Sequence, residues 1–183
     1  APHMMAINID AHFDVSADTT YSSGTPFRQL LEEAYIRPQL LCEIAYQPQV
    51  NSPVYEQYLR DRSANLCSLR ALRELGIAPT FKRMLRNKSK FDAIFWAFDL
   101  DSVRRSDAPG VSSPNADGLS ADEFCRIAEI AGSDERTRII EFVEVNPAWD
   151  SDSATSRLAA LAIHHYLSAL GTVWEATAAQ ASS

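Results

Sequence analysis

Little in this chain is basic, and none of it forms a long apolar run. Lys and Arg number 17 against 24 Asp and Glu, a formal net charge of −7 over 183 residues. That balance argues against non-specific nucleic-acid binding, which needs a basic footprint. No apolar stretch approaches the roughly 18 residues that mark a membrane-spanning helix, and the N-terminus lacks the charged-then-apolar order of a secretory signal. There are only three cysteines, Cys42, Cys67 and Cys125, odd in number and widely spaced. They make no C-x-x-C pair and no disulfide framework, and read as reduced, mostly buried thiols of a cytoplasmic protein. Internal repeats and charge blocks are absent too. What remains is an ordinary globular composition, 46% hydrophobic and 22% charged, long enough for one domain spanning residues 1–183.

Four short apolar runs, at 4–10, 39–46, 91–99 and 138–145, read as strands buried on both faces. Helical patterns lie between them. One covers 55–75, with Leu59, Leu66, Leu69, Leu72 and Leu75 and a stop at Gly76. Pro79 opens a second, basic helix to about Arg86. Ser120 and Glu123 form a capping-box start for a helix to Gly132. A long helix over 153–170 carries Leu158, Leu161, Ile163, Leu167 and Leu170 and is stopped by Gly171. The Ala/Ser-rich tail, 175–183, is predicted to fray. Strands alternating with helices predict an α/β fold, a mainly parallel sheet with helices on both faces.

Against that frame, one string carries chemistry. Asp10-Ala11-His12-Phe13-Asp14 ends the first apolar run. In a strand that continues past its sheet, residues i, i+2 and i+4 share one face, so Asp10, His12 and Asp14 can converge. A second acidic pair, Asp99 and Asp101, ends the third run. Each aspartate alone would read as a turn or cap residue. Two long loops, 15–27 and 102–119, follow the same strands, and ligand sites in α/β sheets lie at the carboxyl ends of strands. Carboxylate and imidazole donors without cysteine favour Mn²⁺, Mg²⁺ or Fe²⁺ and leave Zn²⁺ open. Four aspartates carry −4, which two divalent ions would cancel. Two such ions can share a bridging water and aim it as hydroxide, so a two-metal hydrolase is expected. His164 and His165, adjacent on a helix, point about 100° apart and cannot chelate one ion together.

These residues also resemble the ureohydrolases, the arginase–agmatinase–formimidoylglutamase superfamily. Asp10-Ala11-His12-Phe13-Asp14 is similar to that family's second signature. Phe98-Asp99-Leu100-Asp101-Ser102-Val103, followed by Ala108-Pro109-Gly110-Val111-Ser112, is similar to its third. Asp117-Gly118-Leu119-Ser120 and Val143-Glu144-Val145-Asn146-Pro147 match later segments in order, and Ser23-Gly24-Thr25-Pro26-Phe27-Arg28-Gln29 most resembles the formimidoylglutamase branch. The resemblance implies a three-layer α/β/α, arginase-like fold, of which this chain would be the C-terminal portion. It implies two Mn²⁺ per site, with Asp10 and Asp99 bridging both ions. Asp14 would complete one ligand set, and His12 and Asp101 the other. Glu144 would accept hydrogen bonds from an amidine or guanidine nitrogen, Arg28 would bind a substrate carboxylate, and Asp14 would carry the proton to the leaving amine. The implied reaction is hydrolysis of N-formimidoyl-L-glutamate to L-glutamate and formamide through a metal-bridging hydroxide, in a homo-oligomer, trimer or hexamer.

One departure from the family pattern is plain. A Gly-rich first signature ending in a metal-binding histidine precedes the Asp-Ala-His-x-Asp motif in ureohydrolases, and only nine residues precede Asp10 here. The expectation is therefore one complete ligand set and one lacking its histidine, with sheet edge and core surface left open. The competing readings are an arginase- or agmatinase-type guanidine hydrolase, a ureohydrolase-like subunit or fragment without catalysis, and a metal-dependent deacetylase. No histidine follows Gly24 nearby, which weakens the arginase assignment.

Overall fold

The structure, a computed structural model, describes residues 3–86 and 90–181. Its frame is a five-stranded, all-parallel sheet in the order β3-β2-β1-β4-β5. The strands are β1 (Met4–Ile9), β2 (Leu41–Tyr46), β3 (Asn65–Ser68), β4 (Ala93–Asp99) and β5 (Thr137–Val143). The helices are α1 (Pro26–Glu32), α2 (Pro53–Asp61), α3 (Leu69–Leu75), α4 (Ile77–Leu85), α5 (Ala121–Ser133) and α6 (Ala154–Ala181). Among the described residues no helix is long and apolar enough to cross a membrane.

Alternation along the strands divides the core in two. Met5, Ile7 and Ile9 of β1, with Ile94, Trp96 and Phe98 of β4, face a cluster completed by Leu72, Phe81, Phe124 and Leu158 from α3 to α6. Ala6 and Ala97 point the other way, into a smaller cluster with Phe27, Leu31 and Leu59 from α1 and α2. Small residues on that face let two short helices sit close to the sheet. Helices on both faces are the three-layer α/β/α arrangement expected of an arginase-like fold.

Three sequence expectations need correction. The pattern at 55–75 is not one helix. α2 ends at Asp61, Ser63 turns left-handed at φ 60°, and β3 then pairs parallel with β2. The leucines serve opposite sides of the sheet: Leu59 and Leu66 pack in the smaller cluster, Leu69 and Leu72 in the larger. One helical face cannot do both. Secondly, β5 is an edge strand, not one buried on both faces. Ile140 and Phe142 pack on the larger core, whereas Ile139 is 49% and Val143 37% exposed, because no residue of β5 joins the smaller cluster. Thirdly, α6 runs through Gly171 to Ala181 rather than stopping or fraying there. A Cβ added at Gly171 would meet nothing within 4 Å, and the residue takes no left-handed φ, so it makes no C-cap; residues 182 and 183 of that tail lie outside the described residues. The capping box at Ser120 and Glu123 is present as expected.

Candidate metal centre

β1 and β4 are neighbours, with Ile9 opposite Phe98, so the residues that follow them emerge side by side. Asp10 still belongs to the ladder, its N–H donating to the Ile44 carbonyl at 3.0 Å. The next residues are locked. Ala11 and Phe13 are fully buried, Phe13 packs on Tyr46 at 4.6 Å between ring centroids, and Asn51 clamps the backbone. Its Nδ2 donates to the carbonyls of Ala11 and Gln47, and its Oδ1 accepts from the Phe13 N–H at 3.0 Å. With both flanking side chains buried, His12 is turned outward toward the cleft. Asp14 then takes a left-handed φ of 49°. On the other strand, Asp99 closes β4 and its Oδ1 accepts from the Asp101 N–H at 2.7 Å, winding residues 100–102 into a tight turn that brings Asp101 back.

The result is a three-donor group. His12 Nδ1 lies 2.9 Å from Asp101 Oδ2 and 3.5 Å from Asp10 Oδ1. One ligand atom from each of Asp10, His12 and Asp101 lies within 4.8 Å of the others. Asp14, Asp99 and Glu144 line the same cleft, a cavity of about 370 Å³, together with Ser23 and Gly24 of the Gly-Thr-Pro loop. Glu144 follows β5 directly, is left-handed at φ 64°, and accepts a short hydrogen bond from the Ser112 hydroxyl. Two non-glycine residues held at positive φ in one cleft are a strain that the surrounding contacts must maintain, and such strain clusters at functional sites.

The electrostatics are those of a site short of positive charge. Burial, with Asp101 close by, pushes Asp10 up to about 6. Burial and then Asp10 push Asp14 up to about 8. Burial, Asp10 and Asp101 hold Asp99 well above the usual carboxylate range. Hydrogen bonding to Asp10 and Asp101 carries His12 up to about 10 against its own burial. His12 Nδ1 thus faces two carboxylates, at the place where a cation would meet all three groups. Asp101 Oδ1 is buried with no hydrogen-bond partner among the described residues. Two hard oxygen donors, one imidazole and an orphaned buried lone pair fit a divalent cation of the Mn²⁺ or Mg²⁺ kind.

Arg28 is not brought into this cleft. Its guanidinium donates to Glu32 at 2.9 Å and to the Val15 carbonyl at 3.2 Å, and it stacks on Tyr58 at 4.2 Å. An i,i+4 acid and an aromatic face satisfy it locally. His164 and His165 sit on α6, outside the cavity lining. Sequence reasoning missed Asn51 and Ser113, whose Oγ lies 3.5 Å from His12 Nε2. Neither stands at a spacing that announces a site. It also missed the buried pair Asn8 and Glu43 behind Asp10, which only strand register brings together.

A model of the arginase family matches residues 1–168. The chain belongs to the arginase family. Within it, the formimidoylglutamase of Bacillus subtilis (strain 168) is 36% identical over 164 residues, and those of Staphylococcus aureus strains are 32% identical over 162; each match covers 88% of this chain and 51% of the relative. This arginase-family chain therefore spans about half the length of the curated relatives it matches. Its fold superimposes on the crystal structure of the B. subtilis formimidoylglutamase with a TM-score of 0.87 at 34% identity, covering 91% of this chain and 53% of the other. The Trypanosoma cruzi formiminoglutamase with Mn²⁺ gives 0.84 at 33%, covering 92% and 56%. That neighbour's structure contains Mn²⁺, and Asp10, His12 and Asp101 form a group that could hold a metal ion here.

Proposed function

We propose that this chain carries the metal centre of a manganese-dependent amidine hydrolase of the formimidoylglutamase type, cleaving N-formimidoyl-L-glutamate to L-glutamate and formamide. The observation that carries the reading is the convergence of Asp10, His12 and Asp101 in a cleft that also holds Asp14, Asp99 and Glu144. In this reading Asp10, His12, Asp14, Asp99 and Asp101 are the metal ligands. Manganese bound there supplies Lewis acidity and a water acidic enough to act as nucleophile at neutral pH.

The chain's own residues do the rest. Glu144, held by Ser112, accepts from the amidine N–H groups and fixes the reacting carbon over the ligand cluster, a charge-assisted contact that replaces solvent. Asp14, which lines the cleft beside the ligand cluster, passes a proton to the departing glutamate nitrogen. Buried Ala11 and Phe13 flank His12 in the chain, while Asp101 and Ser113 face its two ring nitrogens. Arg28 is not used in this scheme. It would reach a substrate carboxylate only by leaving Glu32 and Tyr58.

The test is a product assay on the Mn²⁺-loaded protein. Formamide and glutamate should be released from formimidoyl-glutamate, and urea should not appear from arginine, agmatine or guanidinobutyrate. No turnover of any of the four refutes catalysis by this chain. A second reading, a metal-binding but non-catalytic subunit, draws on the single three-donor group found among the described residues. Manganese content separates the two: two ions per chain favour the hydrolase, one or none the subunit.

A further inference from the structure

We infer that Glu43 is a positioning residue of this centre, holding the Asn8 amide so that Asp10 keeps its orientation toward the ligand cluster. This rests on reading Asp10 as a metal ligand. Parallel pairing of β1 and β2 sets Asn8 opposite Glu43, and Asn8 stands two residues before Asp10 on the same face of β1. Asn8, Asp10 and Glu43 are each no more than 1% exposed. The Asn8 Nδ2 carries two hydrogens, and both are spent: one on Asp10 Oδ2 at 3.2 Å, the other on Glu43 Oε2 at 3.0 Å.

An amide held between two carboxyl groups cannot turn without leaving one of them unpaired in the core. Asp10 is thereby pinned from behind, while its Oδ1 faces the His12 N–H at 2.6 Å and the cluster beyond. A carboxyl group buried this completely is costly, and Glu43 Oε1 has no hydrogen-bond partner among the described residues. An apolar side chain at the same position would avoid that cost, so the acid calls for an explanation beyond packing. Groups that orient metal ligands in this way typically change metal affinity by 10–100-fold when removed.

The experiment compares wild type, E43L and E43Q in two measurements on the 183-residue chain. The first is Mn²⁺ affinity, read from the free-ion signal in electron paramagnetic resonance titrations. The second is solvent exchange of the Asn8 side-chain amide protons, followed by NMR without metal. E43L keeps the volume and removes the acceptor, so Mn²⁺ binding should weaken about tenfold and one Asn8 proton should lose protection. E43Q keeps a carbonyl acceptor and should stay within about twofold of wild type on both. If E43L retains wild-type affinity and protection, or E43Q fails as badly as E43L, the inference is wrong. If no protein binds Mn²⁺, the metal centre falls, and the role of Glu43 is decided by the Asn8 exchange alone.

Discussion

Asp101→Asn separates a metal ligand from a structural ion-pair partner. In the metal-free protein the change removes a carboxylate 2.9 Å from His12 Nδ1. At an effective dielectric near 20 that attraction is about 6 kcal/mol. The same carboxylate repels its neighbours: a donor oxygen of Asp10 lies within 4.8 Å, a repulsion of about 3 kcal/mol or more on the same scale. Asp99 adds a further repulsion: burial first, then Asp10 and Asp101, raise its carboxyl above the usual carboxylate range. Attraction and repulsion nearly cancel, leaving a net change under about 2 kcal/mol, or a shift of less than about 8 °C in Tm.

With a divalent ion the cancellation ends. A +2 charge among these donors gains about 7 kcal/mol from one carboxylate within that distance. An amide oxygen recovers about half of it, so D101N should bind Mn²⁺ at least about 100-fold more weakly. Electron paramagnetic resonance titration measures the affinity, and thermal unfolding in chelator measures the metal-free stability. Affinity within threefold of wild type, or a metal-free Tm lowered by more than roughly 15 °C, would refute the ligand role and make Asp101 a fold-stabilising partner of His12.

Glu144→Gln should leave Mn²⁺ affinity within about twofold and lower formamide release by about 10²–10³-fold; equal loss of both would place Glu144 among the ligands instead. Gly118→Ala should cost about 3 kcal/mol in urea denaturation, because an added Cβ would meet the Arg104 N at 2.4 Å and the Ser102 carbonyl at 2.8 Å. Arg73 pins the same loop through Asp117 and the Gly118 carbonyl, which limits relaxation. Asp150→Ala should cost about 1 kcal/mol at pH 7 as a lost helix cap. Burial pushes the Asp150 carboxyl up, but the Ser156 and Thr155 groups that donate to it more than offset this and take it down to about 2. Its folded value lies below the unfolded one, so the stabilisation is full above about pH 4 and fades as pH falls toward 2. Wild type and D150A should converge in that window, and a constant difference would refute the assignment.

Much of the centre was legible along the chain because its donors come in two short strings, each at the end of a strand. Asp10, His12 and Asp14 stand at strand spacing, and Asp99 and Asp101 end another apolar run. Parallel strands deliver their carboxyl ends to one edge of the sheet, so the two strings had to meet if the runs were neighbours. Glu144 entered through the family resemblance alone, as part of Val143-Glu144-Val145-Asn146-Pro147. The Asp117-Gly118 segment was visible as a motif, but its reason, backbone contact with residues 102–104, was not. Periodicity failed at 55–75, where leucines at helical spacing serve two faces of the sheet. It failed again at Gly171, whose open surroundings impose no stop.

Sequence by itself determined the chemistry on offer, carboxylates and an imidazole with no cysteine among them, and the strand-helix alternation that presents it. Only the tertiary structure decided which groups touch. It put Arg28 on Tyr58 and Glu32 rather than in the cleft, set Glu43 behind Asp10, and left the far side of β5 bare. Such contacts depend on register and on how far each layer extends. Neither is written in local spacing, because a side chain's partner across a sheet is chosen by the pairing of whole strands.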